Sequence, residues 1–211
     1  MILTIRPFGP LATNSILLAP SSGKKAYIFD APQGCCQYWK QCAEELSLSI
    51  EGLFLTHSHW DHIVDAAEVK KSFGCPLWIH AEDAGNLREP GSDGLPLFFP
   101  ITGAQPDHLL HDGQKLDLNG FSLLVLHTPG HSPGCVCFYS AKEELLIAGD
   151  TLFQGSIGRI DLPTARPALM KTSLQKLAQL PAETRVYPGH GEPTTIGQEM
   201  AMIKYLCEEE L

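Results

Sequence analysis

The chain has 211 residues, and its 24 acidic side chains outnumber its 15 Lys and Arg residues, which gives a formal net charge of −9. Hydrophobic residues make up 44% and charged residues 18%, a globular usage that excludes a disordered or fibrous chain. The acidic balance without a Lys/Arg cluster argues against nucleic acid as a partner, and no apolar run approaches the roughly 18 residues of a membrane span. We expect one domain over residues 1–211.

Short strands and one helix are predicted at the start of the chain. Apolar or β-branched runs at 1–6, 14–19 and 26–30 are separated by Pro, Gly and Ser, which predicts a strand meander. Helical spacing then predicts a helix over 35–48. Residues 53–56 are apolar without alternation, which predicts a strand buried on both faces.

The middle of the chain is predicted to contain one helix, one strand and a long connection. Helical spacing extends over 63–73, and 77–80 has the composition of a strand. Residues 82–112 are rich in Pro, Gly and Asp, and we expect this connection to hold a substrate-facing loop.

The second half of the chain continues the alternation of strands and helices. Four strands are predicted, at 122–127, 135–139, 145–148 and 185–187. Pro167 opens a helix, as expected for proline in a first helical turn. A final amphipathic helix ends in the acidic run 208–210, which we expect to be solvated.

The seven cysteines indicate a reducing compartment. Their number is odd and no CxxC pair occurs, so a disulfide framework, a zinc ribbon and a thioredoxin-like motif are all disfavoured. We expect them to be buried small apolar residues. Residues 1–14 contain one basic residue and are interrupted by Pro7 and Pro10, which is not typical of a secretory signal. A cytoplasmic location is therefore expected.

The most informative segment is the HxHxDH pattern at 56–62, Thr-His-Ser-His-Trp-Asp-His. It follows an apolar strand and precedes a helix. His57 and His59 are two residues apart and point the same way in an extended chain. Asp61 and His62 then turn back toward the same point at the helix N-terminus. Imidazole and carboxylate are ligands that suit Zn, Fe and Mn.

Two Pro-Gly-His sequences add to this pattern. Residues 128–131 and 187–190 each place a histidine just after a strand, where Pro fixes φ and Gly permits an unusual turn. Asp150 follows another strand. Seven candidate metal ligands result: His57, His59, Asp61, His62, His131, Asp150 and His190. The remaining histidines are weaker candidates, with His80 and His127 in supporting positions and His108 and His111 in the long connection.

Together these seven residues resemble the metallo-β-lactamase fold superfamily over nearly the whole chain. Gly-Asp-Thr-Leu-Phe at 149–153 and Gly-Ser-Ile-Gly-Arg at 155–159 are similar to the glyoxalase II branch, the hydroxyacylglutathione hydrolases. The resemblance implies an α+β fold, a four-layer αββα sandwich. It implies cleavage of a small-molecule thioester, an acyl-glutathione or similar acyl-thiol, with no nucleic acid or membrane partner.

The resemblance also implies how the ligands divide between two divalent ions, zinc in the first place, with iron or manganese as alternatives. Site one takes His57, His59 and His131, site two takes Asp61, His62 and His190, and Asp150 bridges them. Asp61 and Asp150 would thereby be catalytic. Two such ions share a water and lower its pKa from about 15.7 toward 7, so that a bridging hydroxide attacks the substrate without a Ser or Cys nucleophile.

Two features depart from the glyoxalase II pattern. Full-length members carry a C-terminal helical domain that this chain is too short to contain. Arg159 matches a basic residue that contacts glutathione, which makes it the candidate substrate-binding residue, but Asp161 stands where the family has a Tyr.

Three other functions are less favoured than thioester hydrolysis. Gly-Arg-Ile-Asp at 158–161 resembles a segment of the persulfide dioxygenases, which hold one iron through residues matching His57, His131 and Asp150. A β-lactamase is disfavoured by the missing export signal. A non-catalytic metal-binding protein is disfavoured because all seven positions are filled. The sequence leaves the oligomeric state undetermined.

Overall fold

Two mixed β-sheets pack face to face, and helices cover the outer face of each sheet. A computed structural model describes residues 1–20 and 23–208 of the chain. The α+β class and the four-layer αββα arrangement expected from the sequence are confirmed. Of the predicted acidic run, residues 209 and 210 lie outside the described part.

The first sheet follows the chain order across six neighbouring strands: β1 (Ile2–Phe8), β2 (Thr13–Ala19), β3 (Lys25–Phe29), β4 (Ser49–Phe54), β5 (Leu77–His80) and β6 (His108–Leu110). The first three strands are antiparallel neighbours, which confirms the predicted meander. From β3 onward the strands are parallel, so the carboxyl ends of β3, β4 and β5 lie at one edge.

The second sheet runs through six strands in reverse order: β12 (Thr194–Thr195), β11 (Arg185–Pro188), β10 (Leu145–Gly149), β9 (Val136–Ser140), β8 (Ser122–His127) and β7 (Lys115–Asp117). Strands β10 and β11 are parallel neighbours, and the remaining pairs are antiparallel. Asp150 and His190, which follow β10 and β11, therefore leave the sheet at the same edge.

Within the described residues, six helices complete the fold: α1 (Cys35–Glu45), α2 (Trp60–Ile63), α3 (Ala66–Phe73), α4 (Ala84–Arg88), α5 (Pro167–Leu177) and α6 (Ile196–Glu208). Helices α1 and α3 pack on the first sheet, and α5 and α6 pack on the second. No helix within residues 1–20 and 23–208 is both long and apolar enough to cross a bilayer.

Three apolar layers hold the sandwich together. Phe29 and Phe54 of the first sheet meet Phe138 of the second, with ring centroids 5.1 and 5.8 Å apart. Leu53, beside Phe54 in β4, instead faces the helix layer with Trp39 of α1. Strand β4 is thus buried on both faces, as its unalternating apolar run predicts.

Parts of the predicted secondary structure were wrong. The helix expected over 63–73 is two helices, because the chain bends at Asp65. The Asp65 carboxylate accepts the backbone N–H groups of Gly34 and Cys36 at 2.9 and 3.0 Å and thereby fixes the start of α1. The connection at 82–112 contains α4 and β6, and β7 and β12 were missed because strands of two or three residues carry little periodicity.

The cysteines behave as the sequence predicts. Five of the seven are buried, and none forms a disulfide in the described residues. Burial raises the pKa of the Cys137 thiol to about 11, with hydrogen bonds from Thr128 and Thr151 only partly opposing it. Such a thiol stays protonated near neutral pH and packs as a small apolar group.

Candidate metal centre

All seven predicted ligands converge where strand ends of the two sheets meet. The side chains form three overlapping groups, and within each group the ligand atoms lie within 4.8 Å of one another. The groups are His57, His59 and His131; His57, His62 and Asp150; and Asp61, His62 and His190. The set expected from the sequence is therefore one cluster, in which His57 and His62 link the groups.

The HxHxDH segment reaches this point through a strand, a turn and a short helix. Strand β4 ends at Phe54 and α2 begins at Trp60, with the intervening residues buried. The backbone N–H of His62 donates to the carbonyl of His59 at 2.9 Å, which turns the chain back on itself. This turn places Asp61 and His62 beside the two preceding histidines.

One buried carboxylate, Asp30, orients two of the histidines. Its Oδ1 accepts the backbone N–H of Thr56 at 2.8 Å, and its Oδ2 accepts the Thr56 hydroxyl at 2.8 Å. The same Oδ2 lies 3.0 Å from His62 Nδ1. Because the Thr56 hydroxyl proton is given to Asp30, Thr56 Oγ1 accepts from His57 Nδ1 at 3.1 Å. Asp30 thus directs the Nε2 atoms of His57 and His62 inward.

The sequence analysis missed Asp30, although a signal was present. Asp30 directly follows β3 and so stands at a strand end, as Asp150 does. It also adopts a left-handed backbone conformation with φ of 58°, which few residues other than glycine tolerate. Strain of this kind is concentrated at functional sites.

Two further histidines are fixed by backbone carbonyls. His131 Nδ1 donates to the carbonyl of Arg159 at 2.8 Å, and His190 Nδ1 donates to the carbonyl of Leu11 at 3.1 Å. Both Nε2 atoms therefore remain for the cluster. His59 is turned the other way, since its Nδ1 lies 2.7 Å from His131 Nε2.

The cluster fits metal ions because buried polar atoms in it make no hydrogen bond to any of the described residues. His57 Nε2 and Asp150 Oδ1 are both inaccessible to water and make no hydrogen bond. Leaving such atoms unpaired costs about 1–3 kcal/mol each. A divalent cation would satisfy them, and imidazole nitrogen with carboxylate oxygen is a donor set for Zn, Fe or Mn.

Electrostatics divide the side chains into neutral and charged members. Burial, with the neighbouring His131, lowers the pKa of His59 to about 3. Burial opposes the charge of His190 as well, but hydrogen bonds to Asp150 and Asp61 outweigh it and raise its pKa to about 9. Without metal, the charge of Asp61 and Asp150 is balanced by protons on histidine, and a bound cation would replace those protons.

Asp150 occupies the centre of the cluster. Its Oδ1 lies 3.4 Å from His62 Nε2, and its Oδ2 lies 3.3 Å from His131 Nε2 and 3.5 Å from His190 Nε2. It therefore touches residues of all three groups.

Gly189, in the second Pro-Gly-His sequence, is required for close approach. A Cβ at this position would overlap Asp150 Oδ1 and lie 2.8 Å from His62 Cε1. The sequence analysis attributed both glycines to unusual turns, whereas the demand at Gly189 is for space. A side chain here would push Asp150 out of the cluster.

A second buried carboxylate, Asp83, joins the two ligand-bearing loops. It accepts the backbone N–H groups of Ser58 at 2.7 Å and Gly134 at 2.6 Å, and the Ser132 hydroxyl at 2.9 Å. Asp83 stands at the N-cap of α4, yet its side chain makes no capping bond to that helix. Sequence inspection finds such a residue only as an ordinary helix cap, so its role was missed.

Arg159, the candidate substrate-binding residue, lines the cavity beside the cluster. Its guanidinium is paired with Asp161, with Nε to Oδ1 and Nη2 to Oδ2 distances of 2.9 Å. Both side chains are exposed, at 69% and 68%.

The remaining histidines lie outside the seven-residue cluster. His80 and His127 stack on each other with ring centroids 4.0 Å apart. His127 Nε2 donates to the carbonyl of Pro133 at 2.9 Å, in keeping with its expected supporting role. These two and Glu82 also place ligand atoms within 4.8 Å, but Glu82 is paired with Arg166 at 2.7 Å.

Comparison with known proteins agrees with this geometry. Residues 8–190 match the model of the metallo-beta-lactamase superfamily. The hydroxyacylglutathione hydrolase GloC of Haemophilus influenzae is 38% identical over 183 residues, covering 83% of this chain and 84% of that protein.

Two solved structures are similar along almost their full length. The B3 metallo-beta-lactamase BLEG-1 superposes with a TM-score of 0.89 at 39% identity, covering 97% of this chain and 99% of that one. TTHA1623 in a di-iron-bound form superposes with a TM-score of 0.81 at 34% identity, covering 93% of this chain and 96% of that one.

The chain therefore belongs to the metallo-beta-lactamase superfamily and is a metal-dependent hydrolase. The fold and the His/Asp cluster agree with the two-metal site of this superfamily. The di-iron form of one relative leaves the identity of the metal open.

We expect Asp30→Asn to weaken metal binding by about 10–100-fold while the protein stays folded. The amide carbonyl would take the Thr56 N–H, so the NH₂ group would face His62 Nδ1 and donate to it. His62 Nε2 would then carry a proton and could not bind metal.

Metal content after gel filtration, with circular dichroism as a check of folding, measures this effect. Asp117→Asn, at an exposed position in β7, is the matched control. Two tightly held ions in Asp30→Asn would contradict the orienting role of Asp30.

Proposed function

We propose that this protein is a thioesterase that cleaves an acyl-glutathione or a similar acyl-thiol at a dinuclear zinc centre. The observation that carries the proposal is the position of Asp150 among the three ligand groups, beside a cavity that the 153–159 loop lines. The similarity to GloC of Haemophilus influenzae supports the thioester substrate. The unpaired cysteines support a cytoplasmic location.

In this proposal the seven side chains hold two ions as the family resemblance divides them. His57, His59 and His131 would hold the first, and Asp61, His62 and His190 would hold the second. Asp150 would contribute its carboxylate to both. When bound, two divalent ions make hydroxide available near neutral pH and withdraw charge from a carbonyl group.

The protein's own groups keep the ligands in place and shape the surroundings. The Thr13 hydroxyl donates to Asp61 Oδ2 at 2.7 Å, and Oδ1 of Asp61 takes no part in this hydrogen bond. Burial would raise the pKa of Asp61, but His62, the bond from His190 and that from Thr13 outweigh it and lower the pKa to about 2. Asp61 is therefore an anion at any physiological pH.

The reaction adds water across the C–S bond. The oxygen of water bonds to the acyl carbon, the C–S bond breaks, and the sulfur leaves as a thiolate that takes one of the protons of the water. A carboxylic acid and a free thiol are the products. No serine or cysteine nucleophile is needed for these steps.

One specific observation favours a second candidate, hydrolysis of a β-lactam. BLEG-1 is 39% identical over nearly the whole chain. The persulfide dioxygenase expected as an alternative from the 158–161 segment would consume oxygen instead. The three reactions give different products and can be measured on one preparation.

The direct test supplies the metal-loaded protein with S-lactoylglutathione, a chromogenic cephalosporin and glutathione persulfide in parallel. We expect thiol release from the first, detected with a thiol reagent, and no oxygen uptake with the third. Oxygen uptake with the persulfide and no thiol release would overturn the thioesterase proposal. Turnover of the cephalosporin alone would identify a lactamase.

Replacing Asp61 tests whether the second metal is needed. We expect Asp61→Ala to stay folded, to keep about one ion per chain and to lose thioesterase activity by about a hundredfold or more. The pH optimum of the residual activity should rise, because one ion acidifies water less than two.

Metal analysis and a pH–rate profile measure both effects, with the exposed Asp117→Ala as control. A variant that kept both its metal and its activity would show that Asp61 is not a ligand.

We also propose that Arg159 contacts the thiol carrier. Because the Arg159–Asp161 pair is exposed to solvent, it adds little to stability. The backbone carbonyl that holds His131 would remain in Arg159→Ala. We therefore expect this variant to raise KM by more than it lowers kcat and to leave Tm unchanged.

Steady-state kinetics and thermal melting distinguish a contact between Arg159 and the thiol carrier from a purely structural role of its side chain. The control is Asp161→Ala, which frees the guanidinium and should not raise KM. An unchanged KM with a lower Tm in Arg159→Ala would mean that the side chain only holds its loop.

A further inference from the structure

The cavity above the His/Asp cluster is enclosed mainly by apolar side chains. Its volume is about 470 Å³, within the range of small-molecule sites. One wall comes from the long connection and α2, and another comes from the loop after Asp150. The apolar residues include Trp60, Leu95, Phe98, Phe153, Ile157 and Leu162.

Phe98 is the most exposed apolar side chain of this lining. It is 75% exposed, more than any other large hydrophobic residue in the described part of the chain. Its ring packs edge-on against Trp60, with centroids 5.6 Å apart. Trp60 is itself buried, at 7% exposure, and lies between the ligand-bearing residues His59 and Asp61 in the chain. The pair therefore forms an apolar wall that runs from the cluster to the exposed ring of Phe98.

Phe98 lies in a part of the chain without its own helix or strand. Residues 89–107 connect α4 to β6 without forming a helix or a strand. Long segments of this kind inside a compact fold are usually functional. The expectation that the connection at 82–112 faces the substrate agrees with its contribution of Leu95, Pro96 and Phe98 to the cavity.

Few charged groups outside the His/Asp cluster line the cavity. Apart from the histidines of the cluster, Arg159 is the one cationic residue among the described lining residues, and it is the residue proposed to contact the thiol carrier. The wall formed by Trp60, Leu95 and Phe98 offers no charged side chain. An acyl group on that wall therefore has to be bound by apolar contact.

We propose that the preferred substrates are thioesters with a bulky apolar acyl group, such as an aryl or arylalkyl group, which packs against Trp60 and Phe98. The inference rests on the proposed thioesterase function and narrows its substrate class. A short hydroxyacyl group would leave the aromatic wall in contact with water. A phenyl ring would cover it and gain the edge or stacking contacts that aromatic pairs prefer.

The test compares phenylacetylglutathione with lactoylglutathione, which share one thiol carrier, on the metal-loaded protein. We expect kcat/KM to be at least about tenfold higher for the phenylacetyl thioester. Phe98→Ala should remove most of that advantage, because it lowers kcat/KM for the phenylacetyl thioester by far more than kcat/KM for the lactoyl thioester. Tyr205→Ala, at a 62% exposed aromatic residue of α6 that does not line the cavity, should change neither rate.

A binding measurement separates this inference from the proposed function. The thioether S-(2-phenylethyl)glutathione cannot be hydrolysed, and calorimetry should show it binding at least about tenfold more tightly than S-methylglutathione. Phe98→Ala should abolish the difference. No turnover of either thioester would overturn the thioesterase proposal, whereas the thioether result would still test the apolar wall.

Two results would overturn the inference while leaving the thioesterase intact. One is turnover of lactoylglutathione as fast as, or faster than, the phenylacetyl thioester. The other is an equal loss of both activities in Phe98→Ala, which would indicate a general effect on the cavity rather than recognition of the acyl group. Equal binding of the two thioethers would overturn it independently of turnover.

Discussion

The arrangement of the metal centre depends on one buried carboxylate, that of Asp30, which is 3% exposed. It accepts from Thr56 through both oxygens and from His62 through Oδ2, and Thr56 in turn accepts from His57. Two imidazoles on different elements are thus fixed in the tautomer that leaves Nε2 free. Without that constraint, the same histidines could present N–H groups to a cation, and the cluster would repel what it has to bind.

The second requirement is that the two sheets stay in register at the edge where the cluster lies. Asn14, in β2 of the first sheet, donates its backbone N–H to Gly189 at 2.7 Å. Its side chain donates to the carbonyls of Pro188 and Gly191 at 3.0 and 2.9 Å. These bonds tie the loop that carries His190 to the sheet that carries the HxHxDH segment, so ligands from both halves of the chain keep fixed distances.

The sequence predicted the strands of four or more residues, most helices and all seven members of the cluster, because those signals are local. HxHxDH and Pro-Gly-His are short patterns at strand ends, and hydrophobic periodicity needs only a few residues. It did not predict Asp30 or Asp83, whose partners lie far away in the chain. Asp30 meets His62 across 32 positions, and Asp83 meets Ser132 across 49. Only the packed sandwich brings such pairs together, and the strand-end position of Asp30 is too common by itself to mark it.

The most direct test of the account is anomalous diffraction from crystals of protein purified without added metal, recorded across the Zn, Fe and Mn absorption edges. The account predicts two anomalous peaks, one beside His57 Nε2 and His131 Nε2 and the other beside His62 Nε2 and His190 Nε2. Both should lie next to the Asp150 carboxylate. A single peak held by His57, His131 and Asp150, with His62 and His190 unliganded, would contradict the dinuclear centre and favour a mononuclear one.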